Sequence, residues 1–206
     1  MLRFSQIKYS MAICIILLFS ACTSLPSPTY QPVEVSDASL ANNWEIQGKI
    51  SIKSSSDKFS TNLYWFHHTQ GNELRLTTVL GTNVLTLKNT QGMASLEVDG
   101  KTYHDRDAQN LLEGISGITI PFNKLPLWIT GQISSNDDVV SYNSQGKVKQ
   151  LISTDEQADW IVEFISWQQQ SGAMVPKQLK IERADVQIKI QTNQWQALTP
   201  QLTTGK

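Results

Sequence analysis

The residues of this chain that could do chemistry are few, and most stand in patterns that cannot use them. The histidines are His67, His68 and His104. Neighbours on a strand point to opposite faces, so His67 and His68 cannot chelate one ion together and read as a solvated strand end. Asp99-Gly100-Lys101-Thr102 imitates the end of a phosphate-binding loop, but the upstream glycine would have to be residue 95, which is Ser95. Gly114-Ile115-Ser116-Gly117 lacks both the spacing of a nucleophile elbow and a strand before it. The carboxylates Asp137-Asp138 and Asp155-Glu156 sit beside polar residues and read as solvated turns. A lipid or glycan hydrolase built on Asp137 or Glu156 is the competing reading. No catalytic residue, metal ligand or cofactor is assigned, and the chain reads as a binder.

The two cysteines point to another kind of chemistry. Arg3 and Lys8 precede the apolar run Met11 to Phe19, which is too short to span a bilayer but suits the core of a signal peptide. Ser20 and Ala21 then lead to Cys22, as in the lipobox read by lipoprotein signal peptidase. Residues 1–21 are therefore expected to be removed and Cys22 to carry lipid. Cys14 goes with the leader, so no thiol remains for a disulfide or a cysteine-ligated metal. In lipoproteins of Gram-negative bacteria an Asp directly after the anchor retains the protein at the inner membrane. Thr23 stands there instead, which implies an outer-membrane protein on the periplasmic face. Residues 22–42, with Pro26, Pro28 and Pro32 among Ser and Thr, read as a flexible tether.

The elements that follow must position any binding surface. Trp44 to Lys53 alternates with Trp44, Ile46, Gly48, Ile50 and Ile52 on one face and polar residues on the other, the signature of a half-buried strand. Phe59, Leu63 and Trp65 repeat the pattern, as do Leu74/Leu76, Leu85/Leu87 and Ala94, Leu96, Val98. Asp99-Gly100 is a hairpin turn. Asp105 or Asp107 can cap a short helix through Leu111, Leu112 and Ile115, and Asn123 a second through Leu125, Trp128 and Ile129. Strands resume at 139–143, 147–153, 160–168, 178–183 and 186–195. The expected fold is mainly β: one domain over 43–198, followed by a tail at 199–206. It is an incomplete antiparallel barrel of about eleven strands, with a lid of short helices enclosing a hydrophobic cavity. With 17 basic and 18 acidic residues, net charge -1 and a pI of about 6.3, a nucleic-acid binder is excluded.

Several motifs together resemble one family, the outer-membrane lipoprotein receptors LolB. They are Trp44-x3-Gly48-Lys49, Leu63-x-Trp65, Leu80-Gly81, Tyr103-x3-Asp107-Ala108-x2-Leu111-Leu112, Gly117 to Pro121, Leu125-x2-Trp128-Ile129-x-Gly131, Pro176-x2-Leu179 and Trp195. The resemblance implies a half-closed barrel with a helical lid. Such a protein takes lipoproteins from the periplasmic carrier LolA and inserts them into the inner leaflet of the outer membrane. Its partners are then LolA, the acyl chains of the cargo and outer-membrane phospholipid, and a monomer is expected. Ile46, Ile50, Leu63, Trp65, Leu76 and Leu87 are expected to line the acyl-chain cavity, joined by Trp44, Leu85, Leu112, Trp128 and Ile129. Val79, Leu80 and Gly81 form the loop that the resemblance assigns to membrane insertion. A structural envelope lipoprotein with a filled core is the second alternative.

Overall fold

The computed structural model describes residues 29–154 and 159–201. The leader, Cys22, Asp155 and Glu156 lie outside the described residues. Residues 30–199 form one compact unit.

This unit is a single antiparallel sheet of twelve strands. Its first half is a meander of hairpins: β2 (Asn43–Lys53), β3 (Lys58–His68), β4 (Gly71–Thr77), β5 (Asn83–Thr90), β6 (Met93–Val98) and β7 (Lys101–Asp105). The second half is another meander: β8 (Asp137–Tyr142), β9 (Val148–Ser153), β10 (Trp160–Gln170), β11 (Ala173–Arg183) and β12 (Val186–Pro200). The halves join where β12 pairs with β2, giving the order β7-β6-β5-β4-β3-β2-β12-β11-β10-β9-β8. β7 and β8 therefore form the two ends of an open sheet. The segment 106–136 links those ends and carries the helices α1 (Ala108–Ser116) and α2 (Leu125–Ile129).

The alternation seen in the sequence sets the inward face. Trp195, Ile46, Trp65, Leu74, Leu87 and Leu96 are successive partners across six strands, and all are buried. Phe164, Leu179, Ile190 and Ile50 make a second such row. Asp99 and Gly100, at φ 51° and 70°, close the β6–β7 hairpin with the positive angles that Asp-Gly tolerates. Gly48 is required for a different reason: a Cβ there would lie 2.0 Å from the Gln191 carbonyl oxygen of β12.

Two expectations change, and one left open between two residues is decided. The twelfth strand is β1 (Tyr30–Val33), which pairs with β12 inside the segment expected to be tether. A 3-10 turn at Ala38–Leu40 follows it, capped by Asp37 through Ser39 N at 2.9 Å, with Ala38 buried. Residues 30–33 thus belong to the sheet, because the end of β12 extends far enough to pair with them. Of the two candidate caps for α1, Asp107 is the one used, accepting from Gln109 N at 2.8 Å. Asn123 does not cap α2. Its N-cap position is Lys124, which makes no side-chain cap, and Pro126 enters the first turn, where a missing N–H costs nothing.

Candidate functional site

The helical segment lies against the inward face of the sheet. α1 packs on β6 and β7, and α2 on β11. Between them Phe122 stacks flat on Trp65, with ring centres 5.1 Å apart and planes at 8°. Of the residues expected to line a cavity, Trp44, Ile46, Ile50, Leu63, Trp65, Leu76 and Leu87 are buried on the sheet. Leu112, Trp128 and Ile129 are buried on the lid. Leu85 is half-buried and packs against the same cluster. Leu63 and Leu76 are cross-strand partners, and so are Leu76 and Leu85. The structure therefore brings these eleven residues into one apolar interior, closed by the side chains of the lid.

Polar contacts fasten the lid to the β8–β9 end of the sheet. Trp128 Nε1 donates to the Asp137 carboxylate at 3.1 Å, and Ser134 N donates to the same group at 2.8 Å. Lys124 Nζ donates to Ser153 Oγ at 2.6 Å and to the Thr154 carbonyl at 3.1 Å. Burial pushes the Asp137 carboxyl upward. Hydrogen bonds from Ser153, Ser134 and Trp128 outweigh that and hold its pKa below the ordinary carboxylate value. Asp137, read from sequence as a turn acid, is instead the first residue of β8 and the acceptor for a lid tryptophan. The neighbouring Asp138 is exposed.

The histidines behave as strand geometry requires. His67 stacks on Trp44 at 4.9 Å, and its Nδ1 lies 2.8 Å from Asn72 Oδ1, which also accepts from Trp65 Nε1 at 3.0 Å. His68 stacks on Phe66 on the opposite face. Burial, then the charge of His67, lowers the His68 pKa. Among the described residues no three His, Cys, Asp or Glu side chains gather as a metal site.

The β4–β5 turn contrasts with the interior. Val79 is 91% exposed and Leu80 94%. The turn that presents them is internally fixed. Gly81 N and Thr78 O bond at 2.9 Å, Thr78 N and Thr82 O at 2.9 Å, and Thr82 N donates to Thr78 Oγ1 at 3.1 Å. Asn62 Nδ2 ties the Thr78 carbonyl to β3 at 3.1 Å, and Thr61 Oγ1 donates to the Thr77 carbonyl. Gly81, at φ 84°, supplies the left-handed position that closes the turn. An exposed apolar pair on a braced turn gains nothing from the core and is suited to meet an apolar environment outside the protein.

Sequence reasoning missed half of the interior. Phe122 and the inward residues of β9–β12, among them Leu151, Val162, Ile181, Ile188 and Trp195, are as buried as those it named. Period two along β10, and along β12 as far as Thr192, was the available signal; Trp195 lies beyond the register shift. The Trp128–Asp137 contact had none, because it joins a helix to a strand across an irregular loop.

The model of the family described as Outer membrane lipoprotein LolB matches residues 42–195. A protein named Outer-membrane lipoprotein LolB from Shewanella frigidimarina is 63% identical over 186 residues, covering 90% of this chain and 92% of that one. The protein of the same name from Shewanella denitrificans is 53% identical over 199 residues, covering 95% and 98%. Among solved structures, a LolA-superfamily protein from Nitrosomonas europaea aligns with a TM-score of 0.46 at 5% identity, over 76% of this chain and 86% of that one. On the family match and these relatives, the chain belongs to the LolB family of outer-membrane lipoproteins.

Proposed function

We propose that the protein receives lipoproteins from the periplasmic carrier LolA, shelters their acyl chains in its apolar interior and delivers them to the inner leaflet of the outer membrane. The observation that carries this reading is the pairing of two apolar features with opposite exposure. One is a continuous apolar sheet face under a helical lid, and the other is a braced turn that offers Val79 and Leu80 to the outside.

The energetics fit. Exposing an acyl chain costs about 0.8 kcal/mol per CH₂, so a chain of about 15 methylenes needs on the order of 12 kcal/mol of cover in water. The interior rows of Ile46, Trp65, Leu74 and Leu87 offer that cover once Phe122 and its neighbours move aside. A lid tied by a few polar contacts, and otherwise held by apolar packing, can exchange its own side chains for those of the cargo. The sequence has no phosphate-binding loop, so transfer runs downhill, with burial in a bilayer as the final state. The lipid on Cys22 keeps the receptor at the membrane it serves, and the reading is of a monomer acting without cofactor or catalysis.

The test is photo-crosslinking to an acylated lipoprotein presented by its carrier, from photoreactive residues placed at Trp65, Leu87 or Thr86. Labelling from Trp65 and Leu87 but not from Thr86, on the opposite face of β5, is the expected result. Equal labelling from Thr86, or none from the inward positions, would count against the reading.

A further inference from the structure

Thr192 and Trp195 stand on the inward face of β12, each only 1% exposed. Neither Thr192 Oγ1 nor Trp195 Nε1 has a hydrogen-bond partner among the described residues. Leaving a buried polar group unpaired is costly, and native interiors seldom keep one without a use for it. Three other indoles of this protein are paired: Trp65 with Asn72, Trp128 with Asp137 and Trp167 with the Val148 carbonyl. Trp160 Nε1 is also unpaired, but it lies at the start of β10 beneath the guanidinium of Arg183 and stands apart from this pair.

The placement of Thr192 and Trp195 has a specific cause. The register of β12 against β2 shifts between Thr192 and Gln194, so Thr192 pairs with Gly48 and Trp195 with Ile46, two consecutive inward positions. Without that bulge, alternation from Ile188, Ile190 and Thr192 would bring Gln194 inward and turn Trp195 out. Opposite Thr192, position 48 is glycine because the β12 backbone at Gln191 comes too close for a Cβ. Two polar groups thus share one stretch of an apolar wall.

We infer that Thr192 and Trp195 form a carbonyl subsite within the acyl-chain interior. The inference rests on the acyl-chain reading proposed above. An apolar wall holds methylenes but does nothing for the group that joins them to the cargo. Each acyl chain of a lipoprotein ends in an ester or amide carbonyl, which gives up its water on entering the protein. An indole N–H can only donate, and a threonine hydroxyl can donate as well, so the matching ligand group is an acceptor without protons of its own. The ester carbonyl oxygens at the root of the chains meet that description. The subsite fixes how deep the chains are drawn in, and the polar groups remain unpaired until cargo arrives.

The test uses the purified full chain, titrated with a fluorescent diacyl-cysteinyl peptide and with its analogue in which both esters are ethers. The wild type is expected to bind the diester about tenfold more tightly than the diether. Thr192→Val should weaken the diester toward the diether and leave diether binding unchanged, and Trp195→Phe, which also alters the apolar wall, should lower the ratio of diester to diether affinity. Thr192→Val should not lower the melting temperature, because it removes an unpaired hydroxyl at nearly constant volume, whereas Trp195→Phe also removes buried aromatic bulk and should melt earlier. Equal binding of the two peptides by the wild type would overturn the subsite. So would a Thr192→Val protein that melts earlier and loses both peptides alike, which would make the hydroxyl structural. Binding of neither peptide by the wild type would overturn the acyl-chain reading itself, and the subsite with it.

Discussion

Leu80 and Leu87 belong to the same hairpin and have opposite fates. Leu87 is fully buried between Leu74 and Leu96, whereas Leu80 stands 94% exposed on the turn that leads into its strand. The fold spends its regular alternation on the first and a set of turn hydrogen bonds on presenting the second. Identical side chains therefore differ in what holds them: Leu87 is part of the packed interior, whereas Leu80 has no share in it. On the proposed reading the first shelters cargo and the second meets the membrane. The contrast also explains why the lid is fastened by polar bonds. The Asp137 carboxylate fixes where Trp128 sits, and stacking on Trp65 fixes Phe122.

The largest expected effect breaks the comparison at its buried end. Leu87→Ala should cost about 2–5 kcal/mol of stability, while Leu80→Ala should stay within about 0.5 kcal/mol of wild type. Urea unfolding of both variants checks this. A Leu80→Ala protein as destabilised as Leu87→Ala would mean that the tip is packed in solution.

A middle-sized effect concerns the lid. Asp137→Ala should cost about 1–2 kcal/mol, since it strands the Trp128 and Ser134 N–H groups. Because the folded pKa of Asp137 is depressed, its contribution is present above its unfolded value, near pH 3.9, and is lost as pH falls through the lower folded value. Wild type should therefore lose more stability than Asp137→Ala as pH drops below about 4, as read from urea midpoints across pH. Parallel curves would remove Asp137 from the clasp.

The smallest effect sharpens the tip. Gly81→Ala must hold a positive φ and should cost about 1 kcal/mol, lowering the melting temperature by roughly 2–4 °C. Its larger consequence should be local, as faster amide exchange at Thr82 with the β2–β3 amides unchanged. Unchanged exchange at Thr82 would show that the turn does not depend on this glycine.

The first half of the sheet was legible because its strands alternate without interruption from Trp44 to Val98, and one face must be buried. Leu80 was legible for the opposite reason, as an apolar residue at a place where no core reaches. β1 was not legible: Tyr30-Gln-Pro-Val sits among Ser, Thr and Pro and forms only because β12 extends to meet it. Asn123 looked like a cap, yet the chain starts α2 at Leu125 and uses Lys124 to reach β9. Trp195 was named as a motif residue, but its inward direction was hidden by the bulge at residues 192–194, which breaks the alternation. In each case the decisive contact is long-range and irregular, whereas local periodicity reports only what is regular.

The central claim is that shelter and delivery belong to different parts of the molecule, and one experiment tests it directly. A fluorescent lipoprotein bound to its carrier is mixed with wild type or Leu80→Glu, and then with liposomes. The account predicts acceptance from the carrier within about twofold of wild type, because Leu80 makes no part of the interior. It also predicts insertion reduced at least about tenfold, because a charge replaces the apolar tip that meets the bilayer. Insertion at the wild-type rate, or loss of acceptance together with insertion, would contradict it.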